Sequence, residues 1–304
     1  MKTDYIDKLL SVAEVICLLV VAVCISSLLT ACGGGYPDVT IPPPATLRTD
    51  LRMGYFGAYD DQATQTKGAV NLWWEAHFQG DQKAIDNIIT AAQPTVLMVG
   101  DQLYEQFQPT GQNYRLRADA DVRLRAYLQF LRNGGALGYV KRLVPFDEPN
   151  INVRAGDFRA GIVLAQRVAA EFPELAGVGF AAIYAYKPLQ YEAIELLSDV
   201  GVDDYGQKSA LLTNGAYQQL VARLRPDQHT ILVPGGAFGE DITPWFNFAE
   251  THQEVGSIVA FVWFNAPRPQ DVGAIPGHPW VGIGFGPLRE SYLAAGRLIV
   301  GSLK

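Results

Sequence analysis

Two adjacent carboxylates, Asp147 and Glu148, are the side chains in this sequence best suited to acid–base chemistry. They follow directly on the segment 140–146, whose apolar residues predict a strand. A carboxyl that is still protonated near neutral pH can act as a general acid, and burial beside other acids raises a carboxyl pKa toward that range. The pair therefore predicts a proton-transfer site in which the pKa of Glu148 is raised.

Further acids, amides and aromatic rings stand after other apolar runs. Carboxylates accept hydrogen bonds from hydroxyl groups and aromatic rings stack on the C–H faces of sugars, so this composition favours a glycan-binding mouth. Any one acid at such a position could instead cap the next helix, but the whole set exceeds what capping requires. The predicted substrate-binding residues are Asp60, Glu75, His77, Asp101, Asp147, Asn150, Tyr184, Tyr205, Trp263 and Asn265.

Eight apolar runs alternate with amphipathic stretches from about residue 50 onward, and this rhythm predicts an α/β fold, a single (β/α)8 TIM barrel over 49–304. No glycine fingerprint follows the first run, which disfavours the competing doubly wound sheet. In the barrel fold, chemistry lies at the carboxyl ends of the strands. The predicted strands are 52–57, 69–74, 95–99, 140–146, 178–183, 200–203, 230–234 and 257–264. The predicted helices are a short or irregular one at 61–66, then 82–92, 119–132, 158–172, 189–197, 216–224, 244–250 and 288–302.

Two motifs resemble strand ends of glycoside hydrolase barrels. Val144–Asn150, Val-Pro-Phe-Asp-Glu-Pro-Asn, resembles the end of the fourth strand, where a glutamate acid/base follows an acidic or amide residue. The stretch 201–206, Gly-Val-Asp-Asp-Tyr-Gly, resembles the G-x-D-x-Y strand end of such barrels. The resemblance implies that Glu148 is the general acid/base. Glycoside cleavage needs two carboxyls, and Asp204 is the leading expected catalytic partner, with Asp101 and Glu75 as the other candidates.

The end of the seventh predicted strand departs from the family pattern. The large retaining group of these barrels has a nucleophilic glutamate there, whereas this chain has Val233–Phe238, Val-Pro-Gly-Gly-Ala-Phe. Either another strand supplies the second carboxyl, or the barrel is a catalytically silent carbohydrate-binding protein; a barrel enzyme of another reaction class is the third alternative. A carboxyl within about 10 Å of Glu148 would favour hydrolysis, with retention at about 5–5.5 Å and inversion at about 6.5–9.5 Å.

Other chemistries find little support in the residue pattern. The four histidines lack the spacing of a zinc hydrolase motif, and the chain contains neither a G-x-S-x-G nucleophile elbow nor a phosphate-binding P-loop. No cofactor and no metal are therefore expected. A net charge of −7 without a basic stripe disfavours nucleic acid as a partner. The expected partners are a glycan and a membrane, and the barrel is expected to be a monomer.

The N-terminus carries a separate signal. An apolar run at 15–29 is shorter than the roughly 20 residues of a membrane span and suits a signal peptide. It leads to Leu29–Cys32, Leu-Thr-Ala-Cys, which resembles the lipobox of bacterial lipoproteins and implies lipidation of Cys32. The expected segments are a signal peptide over 1–31 and a lipidated cysteine with a Gly/Pro-rich linker over 32–48. An uncleaved anchor helix is the alternative.

The residues around Cys32 also predict a location. No aspartate follows Cys32, and by resemblance to lipoprotein sorting in enteric bacteria this favours the outer over the inner membrane. The other two cysteines, Cys17 and Cys24, lie in the same N-terminal segment, so the barrel has no thiol for a disulfide or a metal site. The sequence thus predicts a lipid-anchored protein of the bacterial cell envelope.

Overall fold

A computed structural model describes residues 47–56, 62–76, 82–186, 191–205, 207–261, 263, 283–284 and 286–302. These residues belong to one compact unit. No helix among them combines the length and the apolar character that crossing a membrane requires. The predicted signal peptide, Cys32 and most of the predicted linker lie outside the described residues, so their roles stay predictions.

Arg48, the last residue of the predicted linker, is firmly attached to the domain. It is buried, and its backbone N–H donates to the Glu250 carboxylate at 2.8 Å. Its guanidinium donates to the carbonyl of Ala249 at 2.9 Å and to that of His252 at 2.7 Å. The ordered domain therefore begins at or before Arg48.

Eight parallel strands among the described residues form one sheet, in the order Arg52–Tyr55, Val255–Ala260, His229–Leu232, Asp199–Asp203, Gly179–Ala185, Val140–Val144, Thr95–Met98 and Trp73–Glu75. Each strand lies beside the barrel strand that precedes or follows it along the chain, and helices separate them, which confirms the (β/α)8 barrel. Two further strands, Tyr104–Gln106 and Tyr114–Leu116, form an antiparallel hairpin after the third barrel strand. The strands are β1 (Arg52–Tyr55), β2 (Trp73–Glu75), β3 (Thr95–Met98), β4 (Tyr104–Gln106), β5 (Tyr114–Leu116), β6 (Val140–Val144), β7 (Gly179–Ala185), β8 (Asp199–Asp203), β9 (His229–Leu232) and β10 (Val255–Ala260).

Between β1 and β2 the barrel closes through the Asn71 side chain and two backbone hydrogen bonds, in place of a regular β-ladder. Asn71 accepts from the Met53 N–H at 2.7 Å and donates from Nδ2 to the Leu51 carbonyl at 3.2 Å. The backbone N–H groups of Asn71 and Leu72 both donate to the Met53 carbonyl at 3.1 Å. Gly54 permits this approach, because a Cβ there would lie 2.9 Å from the Leu72 carbonyl oxygen.

Seven of the eight predicted helices form, and two short helices, Gly100–Leu103 and Pro149–Asn152, were not predicted. The first helix is a single turn, as expected for a segment without an apolar stripe. The helix predicted at 189–197 is wrong in its described part, where only a 3₁₀ turn at Ile194–Leu196 forms after Ala193, which has φ 58°. The helices are α1 (Gln62–Gln65), α2 (Gln82–Ala91), α3 (Gly100–Leu103), α4 (Ala120–Asn133), α5 (Pro149–Asn152), α6 (Asp157–Ala169), α7 (Gly215–Val221), α8 (Thr243–Thr251) and α9 (Arg289–Gly301).

The core has two layers, one inside the barrel and one between the sheet and the helices. Successive side chains of a strand point to opposite faces. Trp73 accordingly packs in the outer layer and Trp74, its neighbour, in the lumen. The lumen is otherwise filled mainly by aliphatic side chains such as Val96, Ile183 and Ile231. The face to which a strand residue points therefore decides whether it can reach the mouth of the barrel.

Candidate active site

Asp147 and Glu148 lie in the loop that leaves β6, the fourth barrel strand, at the carboxyl end of the barrel. The Glu148 backbone N–H donates to the Ile183 carbonyl at 2.9 Å, which ties this loop to β7. Glu148 has a left-handed backbone, with φ 48° and ψ 53°, and Pro149 then begins α5. This conformation costs a non-glycine residue roughly 1–2 kcal/mol. Strain of this kind is concentrated at functional sites.

A third carboxyl, that of Asp203, meets Glu148 at the mouth. Asp203 ends β8, the sixth barrel strand, and is only 6% exposed. A hydrogen bond joins its carboxyl to that of Glu148, and Tyr205 hydrogen-bonds Asp203 in turn. Because ionised carboxylates only accept, a bond between two carboxyls requires a proton on one of them. The residue that makes this contact is thus Asp203, one position before Asp204, the partner expected from the sequence.

Burial raises the pKa of every acid in this group, and like charge adds to the rise at Asp147 and Asp203. The pKa of Asp147 rises from 3.8 to about 8, because its carboxyl is desolvated and lies beside Glu148. Burial raises the pKa of Glu148, in the direction expected from the sequence, but the neighbouring Asp203 lowers it through a hydrogen bond instead of raising it. Burial, followed by the charges of Glu148 and Asp147, raises the pKa of Asp203 well above its ordinary value. Desolvated carboxyls this close do not all ionise, so at neutral pH the group retains protons that it can donate.

Asn152 opposes this effect at Glu148. It is the last residue of α5, and its backbone N–H donates to the Glu148 carbonyl at 3.1 Å. Its side chain hydrogen-bonds the Glu148 carboxyl, which lowers the pKa of that carboxyl, and its Nδ2 donates to the Asp147 carbonyl at 3.4 Å. One amide thus contacts the Glu148 carboxyl and the Asp147 backbone. Sequence reasoning missed Asn152, although its spacing of four residues from Glu148 was an available signal.

An aromatic wall, defined as Phe56, Tyr205, Phe238 and Phe261, stands at the same end of the barrel. All four side chains are half-buried. The Tyr205 ring centroid lies 4.8 Å from that of Phe238 and 5.1 Å from that of Phe261, and Phe261 lies 5.7 Å from Phe56. Tyr205 connects this wall to the acids through its hydrogen bond to Asp203. Partly exposed rings beside carboxyls suit the apolar face and the hydroxyl edge of a sugar.

Three predicted substrate-binding residues face the helices instead of the mouth. Glu75 is fully buried and accepts from Nε1 of Trp73 at 2.9 Å on the outer face of β2. Tyr184 is fully buried and packs against α6. Trp263 is 1% exposed, with its ring centroid 4.7 Å from that of Tyr55 in the outer layer. All three residues lie near the carboxyl end of a strand, but their side chains point to the outer face of the sheet.

The other predicted residues have varied environments. Asn150 is buried and pairs with the backbone of Ala185 in both directions, at 2.7 Å and 3.0 Å, so it attaches α5 to β7. Asp101 is exposed in α3, and Asp204 is half-exposed after β8. No group of three histidine, cysteine or acidic side chains in the described parts of the chain could hold a metal ion. The predicted residues Asp60, His77, Asn265 and Cys32 lie outside the described residues.

Glu240 is the first acid after β9, the seventh barrel strand. Its carboxylate accepts hydrogen bonds from the Gly235 backbone N–H at 2.7 Å and from Nε1 of Trp245 at 2.9 Å. The residue is 4% exposed, and burial raises its pKa. Glu240 therefore holds the loop after β9 together, with both oxygens engaged.

No protein-family model and no curated protein matches this chain. Solved structures resemble it at 10–11% identity. A β-glucuronidase from Ruminococcus gnavus in complex with D-glucuronic acid has a TM-score of 0.54 and 10% identity, covering 82% of this chain and 49% of that one. An FMN-binding β-glucuronidase from Facaelibacterium prausnitzii L2-6 has a TM-score of 0.51 and 11% identity, with coverages of 81% and 41%. A GH113 β-1,4-mannanase has a TM-score of 0.50 and 11% identity, with coverages of 83% and 99%. The chain thus spans less than half of each glucuronidase, and the likeness establishes the barrel fold.

Proposed function

We propose that this chain is a glycan-processing barrel of the glycoside hydrolase kind, with Glu148 as its general acid/base. The observation that carries the proposal is the group of Asp147, Glu148 and Asp203, whose carboxyls share raised pKa values at the carboxyl end of the barrel. Cleavage of a glycosidic bond needs a carboxyl that is still protonated near neutral pH. The likeness in fold to structures named as a β-glucuronidase and a β-1,4-mannanase adds support.

In this proposal the Glu148 proton passes to the glycosidic oxygen as the bond to the sugar carbon breaks. Burial keeps the pKa of Glu148 raised, while the hydrogen bond from Asp203 lowers it and orients the Glu148 carboxyl before the reaction. We therefore assign Asp203 as the residue that controls the Glu148 proton, rather than as a nucleophile.

Attack on the sugar carbon is assigned to a different side chain. Asp204 is half-exposed directly after Asp203 and stays our predicted second catalytic carboxyl, acting as a base on a water molecule. The adjacent aspartates allow a matched comparison. Asp204→Asn should reduce the rate without moving the pH dependence of Glu148, whereas Asp203→Asn should change that pH dependence.

A polysaccharide screen on the full chain tests the proposal. The purified protein is incubated with neutral and acidic polysaccharides, including β-mannans and glucuronic acid polymers, and new reducing ends are measured. Glu148→Gln should lower the rate on any active substrate by about 10²–10⁴-fold. Asp227→Asn, an exposed acid before β9, is the matched control and should leave the rate unchanged. Equal rates for the wild type and Glu148→Gln would exclude Glu148 as the acid.

A catalytically silent carbohydrate-binding barrel is the second candidate. The observation that favours it is the placement of Glu240, which holds the loop after β9 instead of serving as a nucleophile there. In that case the screen should yield no reducing ends, while calorimetry should detect glycan binding. Tyr205→Ala, which removes one ring of the aromatic wall, should then weaken binding, and Glu148→Gln should retain it.

We also propose that the mature protein is attached to the bacterial envelope through a lipid on Cys32. The support is the lipobox-like sequence Leu29–Cys32 after the apolar run 15–29. Cys32→Ala should abolish labelling by a radioactive or clickable palmitate in growing cells. Cys24→Ala, in the same N-terminal segment, is the matched control and should remain labelled. Labelling that survives Cys32→Ala would overturn the assignment.

A further inference from the structure

A cavity of about 300 Å³ lies at the opposite end of the barrel from Glu148. Its position follows from its lining residues, which come from strand beginnings. Arg52 and Asp199 are the first residues of β1 and β8, and Leu72 and Pro94 directly precede β2 and β3. Since all eight barrel strands are parallel, these positions share the amino-terminal end. The volume is at the lower limit of the about 300–1,000 Å³ typical of small-molecule sites.

The charges that line the cavity are mainly positive. Three cations, Arg52, Lys141 and Arg142, face one carboxylate, Asp199. Arg142 and Asp199 form an ion pair with each other. The Lys141 ammonium donates to the Gly138 carbonyl at 2.9 Å but retains its charge. Among the described lining residues, no second carboxylate neutralises the charges of Arg52 and Lys141.

Arg52 is the most informative of these side chains. Its neighbour Met53 packs in the outer layer, so alternation along β1 directs Arg52 to the lumen. The Arg52 side chain is half-buried, and among the described residues its guanidinium makes no hydrogen bond or ion pair. A guanidinium has five N–H donors in a fixed planar arrangement that matches a carboxylate.

The deeper wall of the cavity is apolar. It includes Val96, Ala181 and Ile231, all of them buried lumen residues, and the ring of Trp74. The small side chain of Ala181 leaves space that a larger residue would fill. The cavity thus combines an apolar interior with a cationic entrance.

We propose that this cavity binds a small organic anion with an apolar body, such as a short aliphatic carboxylate. The carboxylate lies against Arg52 and Lys141 at the entrance, and the aliphatic part replaces water against Val96, Ala181 and Ile231. Both halves of the ligand are needed, because the cations recognise the charge and the lumen wall recognises the alkyl chain. The site is separate from the proposed glycan site and does not depend on it.

Three probes of equal chain length test the proposal on the full chain, purified in an uncharged detergent. Hexanoate, hexanol and hexylammonium are titrated separately, and binding is followed by calorimetry and by the shift in Tm. Hexanoate should bind and raise Tm, hexanol should bind about tenfold more weakly, and hexylammonium should not bind. Acetate, which keeps the charge without the chain, should bind more weakly than hexanoate.

Two variants connect the binding to the cavity. Arg52→Gln should weaken hexanoate binding about tenfold or more, whereas Arg167→Gln, an exposed arginine of α6, should leave it unchanged. Ala181→Leu should fill the cavity and abolish binding of both hexanoate and hexanol. If Ala181→Leu fails to fold, the comparison between the two arginine variants still tests whether hexanoate binds in this cavity. Equal affinity of wild type and Arg52→Gln for hexanoate, no binding of hexanoate, or equal binding of acetate and hexanoate would each overturn the proposal.

Discussion

Replacing Asp147 with asparagine should stabilise this protein, and the gain should grow as the pH rises. The pKa of Asp147 is about 8 in the native protein, against 3.8 for an ordinary aspartate. Between these values the unfolded chain releases the proton while the native protein keeps it. The native state then binds more protons, so the stability of the wild type falls as the pH rises. Asparagine is neutral throughout this range and therefore escapes the loss.

The size of the effect follows from the shift in pKa. One pKa unit corresponds to about 1.36 kcal/mol, so a rise from 3.8 to about 8 sets an upper limit of roughly 6 kcal/mol on the stability lost. Proteins are stable by only about 5–15 kcal/mol, so even a third of this value is measurable. Wild type and variant should differ little below about pH 4, diverge between about pH 4 and 8, and differ by a constant amount above that range.

Guanidinium denaturation at about pH 4, 6 and 8 measures the difference in the free energy of unfolding. Asp227→Asn supplies a control of opposite sign. Its exposed carboxylate has a pKa lowered by Arg225, so removing it should cost a little stability at neutral pH and nothing at low pH. A difference between wild type and Asp147→Asn that stays constant with pH would refute the reasoning, as would a variant that is the less stable protein at pH 8.

Three further predictions follow from individual contacts. Asn152→Ala removes the hydrogen bond that lowers the pKa of Glu148, so that pKa should rise in a carbon-13 NMR titration. The control Asn133→Ala, at an exposed position, should leave the pKa of Glu148 unchanged. An unchanged Glu148 pKa in Asn152→Ala would exclude the contact. Gly54→Ala would place a Cβ 2.9 Å from the Leu72 carbonyl oxygen and should reduce the free energy of unfolding by about 1–3 kcal/mol. Gly138→Ala, whose Cβ would have no heavy atom within 4 Å, should leave the free energy of unfolding unchanged. Equal stability of Gly54→Ala and the wild type would contradict close packing between β1 and β2. Glu148→Gly should be more stable than Glu148→Ala by up to about 1 kcal/mol in thermal unfolding, because glycine adopts a left-handed backbone without strain. A more stable alanine variant would show that the backbone at position 148 is unstrained.

Much of the fold could be predicted from the sequence because the barrel strands are buried on both faces. Such strands are continuous apolar runs, so Thr95–Met98 and Gly179–Ala185 are recognisable without neighbours. The helix expected at 189–197 was wrong in its described part because its apolar residues satisfy a helical pattern while Ala193 adopts a left-handed backbone. The hairpin of β4 and β5 was missed, since its short polar strands carry no burial signal.

The site was harder to predict, because its composition depends on the direction of each side chain. Val202 packs in the outer layer, so alternation points Asp203 into the barrel, and Asp203 is also the aspartate at the third position of the G-x-D-x-Y stretch. The same alternation places Tyr184 among the helices and Phe261 in the mouth. Strand ends alone could identify the acids near Glu148 but could not select among neighbouring residues. The contact between Asn152 and Glu148 depends on the single helical turn α5, which begins only after Glu148.

The closure between β1 and β2 has a consequence for the dynamics of the barrel. Other neighbouring strands share ladders, such as the five paired positions between β7 and β8, whereas this boundary is held by the Asn71 side chain and by two N–H groups that share one carbonyl. Local opening begins where the fewest bonds must break. We therefore expect amide hydrogens of β1 and of residues 71–72 to exchange with deuterium earlier than those of β7 and β8. The barrel would then open as a curved sheet with two new edges before it unfolds as a whole.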